Sequence, residues 1–446
     1  MQQLSAQDAS FIYSETPNAH MHVATLALYD QSTAPGGRVR FRDILGNIEQ
    51  RLHLAKCFRR KLVEVPGETD HPYWIEDRNF DLEFHVRHVA LPPPGDWTQF
   101  CKQAARLHSY PLDRSKPLWE LTVISGLRAM AGVPDGAFGL LLKIHHAAID
   151  GASGAALTEV LHDLTAAPAK IPRPQTVWVG ESEPAPFELM SRSAMNNFMQ
   201  PFRAAEMWTQ TVPALRRAAD RLRAHPVDPI GPVPRTRFNG NVTPHRVFDG
   251  RRYRLEDLRA MKQSVKGATI NDAVLAVVGG ALRKYLSDRS ELPSDSLIAM
   301  APINVRTADE KNTEGNKVAA MLASLCTHIE NPADRLAAVR DSTHNSKVFT
   351  SAIGARRSSP RQPRFAVGQG YRLGTALPAP VPFRPTGHRT AAAGVARHSQ
   401  PVRADDAAKE DGPCLWSGLE PRAERSAASH DHARAGRGVG QCNRRR

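Results

Sequence analysis

The sequence predicts a mixed α/β fold of the α+β sandwich kind, arranged in two units. Three observations carry that expectation. Apolar, β-rich segments alternate with segments of helical spacing up to about residue 165. A similar alternation restarts after about residue 240. The chain of 446 residues is also long enough to bury two hydrophobic cores.

The elements follow in order. Residues 21–29, "MHVATLALY", have the composition of a strand, and "RFRDILGNIEQRLH" (40–53) has helical periodicity. "YWIEDRNFDLEFHVRHVAL" (73–91), "LWELTVISG" (118–126) and "FGLLLKIHH" (138–146) are β-rich, with a helical "WTQFCKQAARLH" (97–108) between the first two. After Gly151, "ASGAALTEVLHDL" has helical spacing and small residues where it begins. Proline-rich "PAKIPRPQ" closes this unit, a long helical region spans roughly 187–225, and "PVDPIGPVPR" reads as an extended connection. The second unit opens with two helical patterns inside "RYRLEDLRAMKQSVKGATINDAVLAVVGGALRKYLSDR" (252–289). Strands are expected in "LIAMAPINVR" and "KVAAMLASLCTHIE", and a helix from Pro332 to Lys347. The expected domains are therefore 1–165, a helical and proline-rich linker over 166–240, an incomplete second unit over 241–350, and a tail over 351–446.

That tail differs in kind. From Ser351 onward there are 16 Arg and one Lys against seven acidic residues, so it carries +10 of the chain's net +14. It contains abundant Arg, Ala, Pro and Gly, a composition that buries no core and is expected to be disordered. The body before it is mildly basic. The tail alone gives the chain the charge of a nucleic-acid binder, but it has few aromatics for stacking and follows no recognisable reader motif, so no nucleic-acid partner is expected. Cys57, Cys101, Cys326, Cys414 and Cys442 are scattered, with no Cys-x-x-Cys spacing, which argues against a disulfide framework or zinc knuckle and fits a reducing cytosol. The polar start "MQQLSAQDAS" has no basic region leading into an apolar run, so no signal peptide is expected, and no window has the length of a membrane span.

The stretch "KIHHAAIDG" (143–151) is the candidate for chemistry. Three roles fit His145, His146 and Asp150 on spacing alone. A buried, hydrogen-bonded histidine pair at a strand end, with Asp150 as a helix N-cap, is the structural one. Metal binding by His146 and Asp150, four residues apart, would need one continuous helix, and Gly151 after a strand argues for a turn. General-base catalysis is the third: a neutral imidazole takes a proton from an alcohol near neutral pH and returns it, and small neighbours leave room for a substrate. No Walker pattern accompanies "GGALRKY", no serine or cysteine stands in a nucleophile motif, and no metal is implied.

"HHAAIDG" resembles the His-His-x-x-x-Asp-Gly signature of acyltransferases related to chloramphenicol acetyltransferase, which condensation domains of peptide synthetases share. "LSAQDASFIYSETPNAHMHV" (4–23), "KPLW" (116–119), "NDAVLA" (271–276), "PINVR" (302–306) and "GNKV" (315–318) resemble, in order, stretches of the bacterial wax ester synthase/diacylglycerol acyltransferase family. The resemblance covers most of residues 1–345 and implies two chloramphenicol acetyltransferase-like domains joined by a helical linker, with a tunnel between them.

It also implies roles. His146 would be the general base, His145 its support, and Asp150 a structural carboxylate paired with Arg306, beside Gly151. Asn271 would stabilise charge or brace the site, with Asp272 as a helix-capping acid, and Trp119 would shape the channel or fill the core. Acyl-CoA enters as a substrate and not a cofactor; the acceptor would be diacylglycerol or a long-chain alcohol. Another hydroxyl acceptor, or an inactive truncated relative, are the alternatives. Lipid substrates imply a cytoplasmic protein with peripheral contact to the inner membrane or lipid droplets. Met190, Met195, Phe198, Met199, Phe202, Met207 and Trp208, followed by Arg216, Arg217, Arg221 and Arg223, supply a candidate contact; a helix packed between the units fits the same pattern. Family members continue after residue 350 with strands and a Ser-Asn-Val-Pro-Gly-Pro-like stretch that is absent here, so the tail is expected to be an out-of-frame translation of a family C-terminus.

Overall fold

The structure is a computed structural model that describes residues 1–149, 160–163, 171–172, 174, 177–224, 233–251, 253–304 and 318–352. These fall into two compact units divided between Gln200 and Pro201. In the first, the order is β1 (Gln2–Gln3), α1 (Ala6–Tyr13), β2 (His22–Tyr29), α2 (Phe41–Glu49), β3 (Arg60–Val63), β4 (Tyr73–Glu76), α3 (Leu82–His85), β5 (Val86–Ala90), α4 (Trp97–Ser109), β6 (Trp119–Ser125) and β7 (Phe138–His145). A three-stranded sheet runs β1-β4-β3 and a four-stranded sheet β2-β7-β6-β5. In the larger sheet β5 and β6 are parallel, joined through α4, and the other pairs are antiparallel.

Strand β7 is central, which is why it reads as a nearly unbroken apolar run. Leu121, Val123, Phe138 and Ile144 join Phe58 and Trp119 in the main core cluster. Trp119 is fully buried there; its indole N–H donates to the Phe58 carbonyl at 2.9 Å and its ring stacks on His85 at 4.6 Å. Helix α4 seats against β7 through Phe100, and a Cβ on Gly139 would lie 2.6 Å from that ring. The buried Lys143 ammonium and the His22 ring hold the last carbonyls of α4: Lys143 Nζ donates to Leu107 (3.3 Å) and Tyr110 (3.0 Å), and His22 Nε2 to His108 (2.9 Å). Glu120 lies 3.0 Å from Lys143 Nζ.

Two differences from the sequence expectation are local. The segment Leu82–His85, inside a β-rich stretch, makes one helical turn because the Asp81 carboxylate accepts the Glu83 amide at 3.0 Å and caps it. The short strands β1 and β3, which carry no period long enough to register, pair on either side of β4.

Helix α5 (Pro186–Ala224) spans the division between the units. The second unit then contains α6 (Leu255–Gln263), α7 (Ile270–Ser287), β8 (Ile298–Asn304), β9 (Val318–Ser324) and α8 (Pro332–Ala352), with β8 and β9 antiparallel. Helix α7 starts in a capping box: Thr269 Oγ1 accepts the Asp272 amide (3.2 Å) and Asp272 accepts the Thr269 amide (2.7 Å). Ala273 and Ala276 of α7 pack with Leu336 and Val339 of α8. The Gly279–Gly280 pair is a packing device. A Cβ on Gly279 would fall 2.3 Å from the Leu325 carbonyl oxygen, and one on Gly280 would meet the buried Arg335 guanidinium. No described helix is long and apolar enough to cross a membrane.

Candidate active site

The antiparallel pairing of β2 with β7 brings His22 opposite His145. At that point the ladder ends. The His145 amide donates to the Leu118 carbonyl at 3.0 Å and the His146 amide to the Met21 carbonyl at 2.8 Å, after which the chain turns through a single 3₁₀ turn, His146–Ala148. The two adjacent histidines therefore point into different surroundings. His145 is fully buried, whereas His146 is half-buried and stacks on Phe11 of α1, with ring centroids 4.9 Å apart and planes 16° from parallel.

Helix α1 is what roofs the turn. Ser5 caps it by accepting the Asp8 amide at 3.1 Å, and Ala9 and Ile12 pack against Ala147 with Leu4, Leu62, Leu112 and Leu118. Immediately after α1, a tight turn in which the Thr16 and Ala19 backbones bond reciprocally sends the chain back into β2 and leaves Glu15 beside His145. Glu15 Oε1 lies 3.5 Å from His145 Nε2 and accepts the Met21 amide at 2.9 Å. Its Oε2 accepts Arg114 Nη2 at 2.5 Å and Nε at 3.2 Å. Burial works to raise the Glu15 pKa, but the His145 and Arg114 contacts and the Met21 amide outweigh it and hold the carboxyl well below the usual carboxylate range. His145 Nδ1 accepts the Ala147 amide at 3.0 Å. On the far side, burial, reinforced by His108 and Lys143, pushes the His22 pKa well below its ordinary value near 6.5. His22 therefore stays neutral.

Of the residues singled out in the sequence, His145 and His146 meet in this turn. Asp150, Gly151 and Arg306 lie outside the described residues, as do the expected helix start after Gly151 and the tail from residue 353. Asn271 is exposed in the first turn of α7, in the second unit, and Asp272 beside it is buried and accepts Thr343 Oγ1 at 2.6 Å. Trp119 belongs to the core. Glu15, Arg114 and Phe11 were not singled out. Glu15 stands within the N-terminal stretch that carries the resemblance, yet nothing in its spacing announces a contact with a histidine so distant in sequence. A half-buried imidazole at a strand end, beside small side chains and over a carboxylate-braced partner, can accept a proton from a hydroxyl and give it back.

Residues 4–274 match the family described as the wax ester synthase/diacylglycerol acyltransferase catalytic domain, and residues 314–360 match the WS/DGAT C-terminal domain. Two Mycobacterium tuberculosis proteins named as diacylglycerol O-acyltransferases are similar. One is 33% identical over 362 residues, covering 79% of this chain and 68% of its own length. The other is 34% identical over 352 residues, covering 78% and 75%. The fold is similar to that of a wax ester synthase/diacylglycerol acyltransferase from Marinobacter aquaeolei VT8, with a TM-score of 0.52, 25% identity, and 78% and 72% of the two chains covered.

Proposed function

The chain belongs to the wax ester synthase/diacylglycerol acyltransferase family, and from that membership we propose that it transfers a long-chain acyl group from acyl-CoA to the hydroxyl of diacylglycerol, and to long-chain alcohols, with His146 as general base. The observation that supports His146 over His145 is their contrast in burial at the end of β7. His146 is half-buried where His145 is fully buried. In the step, the acceptor oxygen attacks the thioester carbonyl carbon while the His146 imidazole takes the hydroxyl proton. The carbon–sulfur bond then breaks, and the imidazolium returns the proton to the departing thiolate. That chemistry calls for no cofactor and no acyl-enzyme. Asp150, Gly151, Arg306 and Asn271 keep the supporting roles that the family pattern assigns them.

The second element of the proposal is contact with a lipid surface through α5. This helix meets the first unit through a mixed face: Leu189 packs with Val65 and Tyr73, Ser193 donates to Thr69, Asn196 to Asp70 (2.7 Å), and Asn197 to the Thr69 carbonyl (3.2 Å). Phe187, Met190, Met195, Phe198, Met199 and Phe202 are exposed instead. An exposed apolar stripe of this kind suits hydrocarbon, and the helix's six arginines against three acidic residues suit an anionic headgroup layer. Water-insoluble acceptors would be drawn from the same layer.

The test is acyl transfer from radiolabelled acyl-CoA to diacylglycerol by the full chain and by His146→Ala. Loss of a general base costs about 10²–10⁴ in rate, so labelled triacylglycerol should fall by that order. A variant that keeps the wild-type rate would remove His146 from the role.

A further inference from the structure

We propose that Glu15 is a positioning residue that, together with the Ala147 amide, fixes the tautomer of His145 and, through it, holds the turn that presents His146. This rests on the acyl-transfer function proposed above. The His145 ring is buried and its two nitrogens face groups of opposite character. Nδ1 lies 3.0 Å from the Ala147 amide, which is always a donor, so Nδ1 must offer its lone pair. The proton of the neutral ring then sits on Nε2, which faces Glu15 Oε1 at 3.5 Å. Moving it to Nδ1 would set N–H against N–H on one side and a lone pair against a carboxylate on the other. At a ring this buried both clashes would be costly.

The Glu15 oxygen can do this only while it is held in place. Arg114 supplies the charge partner at Oε2, and the Met21 amide fixes Oε1; His20 Nδ1 stands 3.9 Å from the same oxygen. Arg114 Nη2 also donates to the Ile12 carbonyl at 3.2 Å, so the same guanidinium anchors the end of α1, whose Phe11 stacks on His146. Two routes thus converge on the His146 ring. One runs from Glu15 through His145 to the Ala147 amide and the 3₁₀ turn, and the other from Arg114 through α1 to Phe11. The geometry divides labour between the adjacent histidines: the buried one sets the backbone, and the accessible one meets the substrate.

The experiment is long-range proton–nitrogen correlation of the imidazole rings in the full chain labelled with ¹⁵N-histidine, the His145 signal being identified by its loss in His145→Asn. Wild type should show Nε2 protonated and Nδ1 bare. Glu15→Gln keeps an oxygen for the Met21 amide and for Nε2–H, so it should keep that tautomer and most of kcat. Glu15→Leu removes one of the two contacts that fix the tautomer, so the Nδ1-protonated form should become detectable beside the other, and kcat should drop about a hundredfold, the order expected of a misplaced catalytic group, with KM for acyl-CoA unchanged. A wild-type ring protonated on Nδ1 overturns the proposal whatever the variants do, and so does a folded Glu15→Leu with wild-type kcat. The tautomer is read without turnover, so a chain that shows no acyl transfer would sink the proposed function and leave this assignment standing or falling on the spectrum.

Discussion

At the scale of single residues, His22 makes the neighbourhood of the site sensitive to acid. Its Nε2–H donates to the His108 carbonyl, while Nδ1 is buried without a hydrogen-bond partner, with His20 stacked at 5.6 Å and Lys143 and His108 nearby. Protonation would put an unpaired charge there. Because the folded-state pKa lies below the unfolded value near 6.5, the unfolded chain takes up the proton first as pH falls. The stability tied to this group is intact above that value and declines below it, by up to about 1.4 kcal/mol per pH unit. In His22→Gln, whose amide can still donate to His108, the decline in urea midpoint between about pH 6.5 and 5 should be shallower than in wild type. Equal slopes would mean that His22 does not carry the effect. Neither this role nor that of Glu15 was legible in the sequence. The histidine pair was, because two polar rings ending an apolar run are visible locally; their partners come from β2, α4 and the turn after α1, and only the folded register of His22 with His145 brings them together.

At the scale of elements, hydrophobic period located strands and helices well and the direction of their faces less well. Strand β7 and helix α7 follow their apolar patterns because both are packed on protein. Helix α5 was legible as a helix, but its period alone fits equally a core-facing or a lipid-facing stripe. The contacts of Leu189, Ser193, Asn196 and Asn197 show which side faces the first unit and leave the Phe187, Met190 and Met195 side exposed. Replacing Phe187, Met190 and Met195 together with serine should therefore weaken co-sedimentation with vesicles of phosphatidylglycerol, phosphatidylcholine and diacylglycerol, and leave the melting temperature near wild type. Partial burial of three such side chains contributes about 2 kcal/mol or more, or about thirtyfold in partitioning. Unchanged vesicle binding would end the lipid assignment. A wild-type dimer that the triple variant dissolves would instead make the stripe a contact between copies.

At the scale of the whole molecule, the second unit poses the question of what completes its sheet. Among the described residues that sheet consists of β8 and β9, with α7 and α8 packed alongside. A two-stranded ribbon is marginal unless more strands or helices cover it. The C-terminal family match reaches residue 360. Beyond it the sequence turns to Arg, Ala, Pro and Gly, as a GC-rich gene does out of frame. Translating the coding DNA downstream of codon 350 in the other two frames should yield, in one of them, apolar alternation at strand period and a Val-Pro-Gly-Pro-like turn. A chain restored to that frame should melt at a higher temperature and form triacylglycerol faster than this one, because added strands would bury apolar surface of β8 and β9 and extend the second unit. If neither frame yields such strands, the basic tail is the native sequence, and the second unit must complete its core with the residues it has.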